Sequence, residues 1–449
     1  MGSKGVEGEA LSNPEQASAS LSTWRADRLT AGARLKAAAS WIAEHELWLV
    51  GLAIPPLVFP GLFPRVLVLS ALVWIPVLWL CRWAARGYLT VHTPMDLPIL
   101  GIVLMLPVSL YASADLSLSV PIIHKIILEI AIFYGIVNTV RSLGQIRWLA
   151  VLVLIGGLII SVLSLLGTRW SPTKVLSVPQ IYEQLPRLII PQLSKAGFSP
   201  NIVGGTLAML FPITISFFLF GSKRIVKPFL GLALLVMGFA LFLTQSRGAW
   251  IGLVVALLCM AIWRSRWFLL GIPVLVALIL LIVQHFGLKP VVDFISATHS
   301  TATMASRSEV WQRAIYILQD FPYTGIGLGT FSRVGPILYP YFLAGPDADI
   351  PHAHNIFLQA GIDLGIPGLV AFTGMLAAFA FMAWEGVRLA KNSDFKPLAI
   401  GLFCGFIVYL THGLFDSITA VSIKAGVVLW AFLGFTAALW RTLKTTPLK

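Results

Sequence analysis

The segment Asp347-Ala348-Asp349-Ile350-Pro351-His352-Ala353-His354-Asn355 gathers two imidazoles and two carboxylates just ahead of an apolar run. A neutral imidazole at physiological pH can take a proton from a sugar hydroxyl, which makes His354 or its neighbour His352 a candidate general base. The same four side chains could ligate a metal. That spacing is improvised, however, and nearby cations would repel an ion, so no metal or other cofactor is expected. The plain structural reading is a pair of interfacial histidines hydrogen-bonded to loop carbonyls.

Candidate partners for such a base are cationic. Arg247 stands in Thr244-Gln245-Ser246-Arg247-Gly248, a short connection between apolar runs. A guanidinium fixed there can grip phosphate by bidentate hydrogen bonds, although an arginine at a span end also snorkels to lipid headgroups. Ser306-Arg307-Ser308-Glu309 has capping-box spacing and precedes Val310, Trp311, Ala314, Ile315 and Leu318 at helical periodicity. This predicts an amphipathic helix with Arg307 in its first turn, where a helix N-terminus already attracts anions; the bland alternative is a solvated surface arginine. The loop Phe321-Pro322-Tyr323-Thr324-Gly325-Ile326-Gly327-Leu328-Gly329 follows. It lacks the strand–turn–helix context of a dinucleotide fingerprint, so its glycines are read as allowing tight turns or close approach to another element. Arg187, Lys125 and Asp416 complete the candidate substrate-binding set, together with His352, and the family resemblance given below adds Asn201. Lys125 and Glu129 are spaced for mutual neutralisation, and Asp416 either orients an Arg or His or caps a helix.

Something must carry these residues to one place. Of the 449 residues 57% are hydrophobic and 11% charged, against about a quarter charged in soluble domains. A bilayer is therefore the solvent for most of the chain, which excludes a soluble enzyme, a disulfide scaffold and a disordered tail. Cys81, Cys259 and Cys404 have no CxxC spacing and read as small core residues. The predicted fold is an all-α integral membrane protein of about twelve spans: 47–63, 66–83, 95–112, 120–139, 148–167, 202–220, 228–243, 249–263, 267–286, 366–386, 397–414 and 424–441. Residues 1–46 show no cleavable leader and read as a polar tail with an interfacial helix near Leu35–Glu46. Residues 47–286 hold nine spans with an outer loop at 168–201, residues 287–365 a large helical outer loop, and 366–449 the last three spans.

The net charge of +13 is explained by topology, not by nucleic acid. With a cytoplasmic N-terminus, 20 of the 32 Lys and Arg residues fall on the cytoplasmic side. Both termini are then cytoplasmic, and Arg187, Arg247, Arg307, His352, His354 and Asp416 all face outward. Guanidinium groups beside a histidine suit transfer from a lipid diphosphate, whose negative charge grows as its bond to sugar breaks. A transporter of the same lipids is the rival from another class, but it should place ionisable groups at the midplane, where this chain is nearly bare.

As a set these motifs resemble the O-antigen ligase and O-antigen polymerase superfamily. The resemblance rests on His354-Asn355, nine residues, then Gly365-x-x-Gly368, with Thr-Gln-Ser-Arg-Gly, Ser306-Arg307 with Trp311, the Phe-Pro-x-x-Gly-x-Gly-x-Gly loop and Ser199-Pro200-Asn201. It implies a multi-span, GT-C-type, metal-independent inverting glycosyltransferase of the bacterial inner membrane. The donor would be a glycan on undecaprenyl diphosphate at the periplasmic face, and the acceptor lipid A–core sugar for a ligase or the growing repeat for a polymerase. Arg247 and Arg307 would hold the diphosphate and His354 would activate the acceptor hydroxyl. Leu369 and Val370 follow Gly368 where the ligase pattern often has Thr and a further Gly, so the choice between ligase and polymerase stays open, with ligase favoured.

Overall fold

The computed structural model describes residues 32–170, 179–185, 197–221, 224–266, 304–343 and 350–446, with isolated positions between 273 and 285. Among the described residues regular structure is helical. The one bridge between extended residues joins Thr168 to Phe198. Helix α1 covers 32–44, overlapping the helix expected near Leu35–Glu46. It is followed by α2 (Glu46–Val58), α3 (Arg65–Arg86), α4 (Asp96–Ala112), α5 (Leu116–Thr139) and α6 (Leu143–Gly167). A short α7 (Pro179–Gln184) precedes α8 (Pro200–Phe220), α9 (Lys227–Thr244) and α10 (Arg247–Arg264). Then come α11 (Met304–Asp320), α12 (Phe331–Leu338), α13 (Ile356–Leu389), α14 (Lys396–Gly413), α15 (Ile418–Val421) and α16 (Ile423–Thr445).

Nine of the described helices are long and apolar enough to cross a membrane: α3, α5, α6, α8, α9, α10, α13, α14 and α16. The expected count of twelve is not reached among them, and two differences have a physical cause. Helix α2 has 13 residues because Pro55 and Pro56 lie near its end and Pro60 opens a separate 3-10 turn. Helix α4 has 17 residues, and Asp115 then caps α5 through Ser117 N. At about 1.5 Å per residue both fall short of a hydrocarbon core of about 30 Å. The expected span 267–286 lies largely outside the described residues.

Inside the bundle, α14 packs against α8 and α10, and α16 packs against α5. Helices approach this closely only where side chains vanish. A Cβ on Gly401 would lie 2.6 Å from Ile213 Cα, and one on Gly405 would lie 2.5 Å from the Met209 carbonyl oxygen. At one end of the bundle Arg82 is wholly buried against Glu46 and donates to Ala43 O at 2.6 Å. Asn138 Nδ2 donates to the same Glu46 carboxylate at 3.2 Å, so α2, α3 and α5 are tied together there.

A different construction holds the other end. Helix α13 breaks at Gly365 (φ 68°, ψ −176°) into a short half that starts at Ile356 and a long spanning half. The glycine loop 325–329 wraps this break, with Ile326 N–H donating to Ile362 O at 2.8 Å and Ile366 N–H to Pro322 O at 2.6 Å. A Cβ on Gly365 would meet the Tyr323 carbonyl carbon at 2.6 Å. The glycines therefore serve tight turns and close approach, as expected from their spacing.

Candidate active site

Three chain segments far apart in sequence meet at this end: the turn before α13, the end of α14 and the start of α8. Asn355 caps α13, its Oδ1 accepting from Phe357 N–H at 2.9 Å and Leu358 N–H at 3.1 Å. Its own amide donates to Leu414 O at 3.2 Å, which ties the turn to the end of α14. The preceding residue, His354, is left in the left-handed region at φ 50°, a conformation uncommon outside glycine. Its N–H donates to His352 Nδ1 at 3.2 Å. That bond assigns the tautomer of His352: Nδ1 accepts, so a neutral ring carries its proton on Nε2.

Asp416 is the common neighbour. His352 Nε2 lies 3.5 Å and His354 Nδ1 3.7 Å from Asp416 Oδ1, while Asn201 Nδ2 donates to Oδ2 at 3.1 Å. The two imidazole centroids are 4.2 Å apart. Burial alone would raise the Asp416 carboxyl, but the His354 contact and the neighbouring His352, His354 and His412 charges hold it well below the usual carboxylate range. Burial pushes His352 down to about 4 against the opposing pull of Asp416, with His354 and Arg307 adding to the fall. At neutral pH this is an ionised carboxylate flanked by a neutral His352. The second ring, His354, faces Nδ1 to the carboxylate, but at 3.7 Å that buried nitrogen makes no hydrogen bond. An imidazole oriented by a carboxylate at one nitrogen is the arrangement of an activated base.

Cationic groups surround this centre. Arg307, in the first turn of α11, senses the Asp416 charge, and burial lowers its own pKa. Its Nε is buried without a hydrogen-bond partner. Arg247 opens α10 and lies within electrostatic reach of Arg307. The capping box expected at Ser306–Glu309 does not form: α11 begins at Met304, so Ser306 is already helical. Glu309 instead accepts from the Phe342 and Leu343 N–H groups at 2.6 and 2.8 Å, tying α11 to the residues after α12. Arg187, Asp347 and Asp349 lie outside the described residues. Lys125 is not brought to the histidines. It donates to Thr419 O, sits 3.8 Å from Glu129 Oε1, and lines a separate cavity of about 110 Å³ with Gln359 and Asp363.

Two features were not anticipated. His412 is buried at the end of α14, one turn before Asp416, whose N–H donates to His412 O at 3.0 Å. Its ring sits between two glycines: a Cβ on Gly205 would be 2.9 Å from its Cε1, and one on Gly248 would be 3.1 Å from its Cδ2. The i,i+4 pair His412–Asp416 was the available signal. Tyr182, in the short helix α7, donates to Leu243 O at 3.0 Å and accepts from Gln245 Nε2. This contact clamps the left-handed Gln245 turn that presents Arg247.

An apolar cavity of about 490 Å³ opens on the neighbouring face of α8, lined by Val58, Phe59, Ile202, Val203, Ser199 and Lys424. Lys424 Nζ lies 5.0 Å from the Phe59 ring centroid and 4.9 Å from that of Phe198.

Comparison with known proteins matches residues 232–373 to the family described as O-antigen ligase. The chain is also 25% identical over 300 residues to an O-antigen ligase of Salmonella typhimurium, a match covering 62% of this chain and 67% of that protein. These matches support the O-antigen ligase superfamily. The family-matched stretch carries Arg247, Arg307, His352, His354 and Gly365, whereas Asn201, His412 and Asp416 come from outside it.

Proposed function

We propose that the protein transfers a glycan from a polyprenyl diphosphate carrier, with undecaprenyl diphosphate as the donor lipid, to a sugar hydroxyl at the periplasmic face of a bacterial inner membrane. The observation that carries the reading is His354 with its Nδ1 turned to the ionised Asp416 and Arg307 within reach of the same charge. His354 Nε2 takes the proton of the acceptor hydroxyl as that oxygen bonds to the anomeric carbon. The bond from the anomeric carbon to the diphosphate oxygen breaks, and the electron pair leaves with the diphosphate, giving inversion. Arg307, with Arg247, stabilises the charge gathering on that leaving group, where fixed guanidiniums act more strongly on the transition state than on the ground state. Asn201 and His352 hold Asp416 in place. The apolar cavity beside Ser199 and Lys424 suits a hydrocarbon chain with an anionic head. The acceptor is lipid A–core sugar in a ligase, the activity we favour, and the growing repeat in a polymerase.

A metal-assisted transferase is the second reading, favoured by ligand atoms of His352, His354 and Asp416 all lying within 4.8 Å of one another. Incubating purified protein in detergent with lipid-linked glycan and candidate acceptors, then weighing the product by mass spectrometry, tests both readings. Transfer in excess chelator with unchanged rate supports the base; strict dependence on an added divalent cation overturns it in favour of the metal. No transfer to any acceptor, with intact lipid-linked glycan moved across reconstituted vesicles, would point to a transporter instead.

A further inference from the structure

The turn carrying both histidines has one buried backbone donor between them, Ala353 N–H, and Ala353 itself is fully buried. Its acceptor is Gln359 Oε1 at 2.8 Å. The Gln359 amide nitrogen in turn donates to Asp363 Oδ2 at 2.9 Å, and Asp363 Oδ1 accepts from Gly329 N–H at 3.2 Å. Gln359 and Asp363 are both buried, one turn apart on the short half of α13. Gly329 closes the glycine loop that follows α11, the helix bearing Arg307. Ser109 reinforces the junction, donating to Asp363 O at 2.8 Å and accepting from Leu328 N–H at 2.9 Å. The chain Ala353–Gln359–Asp363–Gly329 therefore runs from the histidine turn to the segment that carries the arginine.

We infer that Gln359 and Asp363 are positioning residues that set the His352–His354 turn in register with the Arg307 segment. The inference rests on the glycan-transfer reading above for its consequence, though not for its geometry. Each end of the chain is a backbone N–H and so a fixed donor. Between two fixed donors, a side-chain amide and a carboxylate satisfy every bond only if one supplies the amide and the other the acid. The order is interchangeable. Glu at 359 with Asn at 363 would accept from Ala353 and from the Asn amide, whose oxygen would accept from Gly329. Either change alone leaves a mismatch. D363N sets donor against donor wherever the amides flip, and Q359E sets two buried carboxyl groups face to face, which repel at a pH high enough to strip the proton they would share.

The test compares wild type, Q359E, D363N and the Q359E/D363N double variant. Hydrogen exchange at the Ala353 amide reads the network directly, and steady-state kinetics read its consequence. The single variants are expected to exchange Ala353 at least tenfold faster and to lose kcat on the order of a hundred-fold, with KM for donor and acceptor unchanged. The double variant is expected to regain both protection and kcat. Single variants that keep Ala353 protected, or a double variant no better than the poorer single, would overturn the inference. If one single variant fails to fold, the other against the double decides. Wild type that shows the protected amide but transfers no glycan would count against the transfer reading alone.

Discussion

At the scale of single residues, the chemistry turns on how unequal the environments of His352 and His354 are. His352 spends Nδ1 on a backbone N–H and is buried, so it is kept neutral, whereas His354 is half-buried with Nδ1 facing Asp416. Replacing His354 with Ala should lower transfer at least a hundred-fold without altering the melting temperature, checked by product formation and thermal unfolding of the same preparation. His352 makes the opposite prediction, one of stability. Its folded pKa of about 4 lies below its ordinary 6.5, so between those values the unfolded chain binds a proton that the folded chain does not. Stability should therefore fall as pH drops from 6.5 towards 4, by about 3 kcal/mol at the limit. Asp416 acts only below this window, because its carboxyl is held under its ordinary 3.8. Melting curves for wild type and His352→Gln across pH 4–7 check this, and the variant should show the flatter dependence. The residue types were legible beforehand: both histidines, Arg307, Asn201 and Asp416 stand out as polar groups in an apolar chain. His412 and the Gln359–Asp363 pair were not, because a buried polar residue inside a helix looks the same in sequence whether it faces a site or a neighbouring backbone.

Elements were easier to find than to delimit. Apolar runs locate helices because a bilayer leaves backbone no other partner, but where each helix ends depends on contacts outside the run. Glu309 illustrates this, since its spacing from Ser306 fits a cap while its carboxylate is taken by the Phe342 and Leu343 N–H groups. Gly365 illustrates the reverse. In sequence it is only the first glycine of the Gly365-x-x-Gly368 spacing; in the structure it is the break that lets the short half of α13 bring Gln359 to the histidine turn and Asp363 to the glycine loop. Gly365→Ala should destabilise by roughly 1–3 kcal/mol, because Ala resists φ near 68° and its Cβ would strike the Tyr323 backbone at 2.6 Å. Gly386 lies in the same helix with nothing within 4 Å of a built Cβ. Gly386→Ala should leave stability unchanged or raise it slightly, so the difference between the two melting temperatures isolates the kink from helix propensity.

For the molecule as a whole, charge and packing bear on one question, which end of the bundle faces outward. The end that ties α2, α3 and α5 through Glu46 and Arg82 is the end to which the positive-inside rule assigns the cytoplasm. The end that joins Asn201, His352, His354 and Asp416 is opposite in that assignment, and charges along the chain could suggest it only because short connections alternate sides. What the charges could not convey is that loops separated by more than 200 residues converge there; the Asn201–Asp416 bond is a product of helix packing, with α14 held against α8 by Gly401 and Gly405. Orientation can be measured without reference to activity. In a background lacking Cys81, Cys259 and Cys404, a cysteine at Gln319, exposed on α11, should react with a membrane-impermeant maleimide in intact spheroplasts. A cysteine at Asn392, exposed between α13 and α14, should react only after permeabilisation. The reverse pattern would put the histidine turn in the cytoplasm. A lipid-linked glycan presented on the outer leaflet could not reach it there, so the side of labelling decides whether the site and its proposed donor share a compartment.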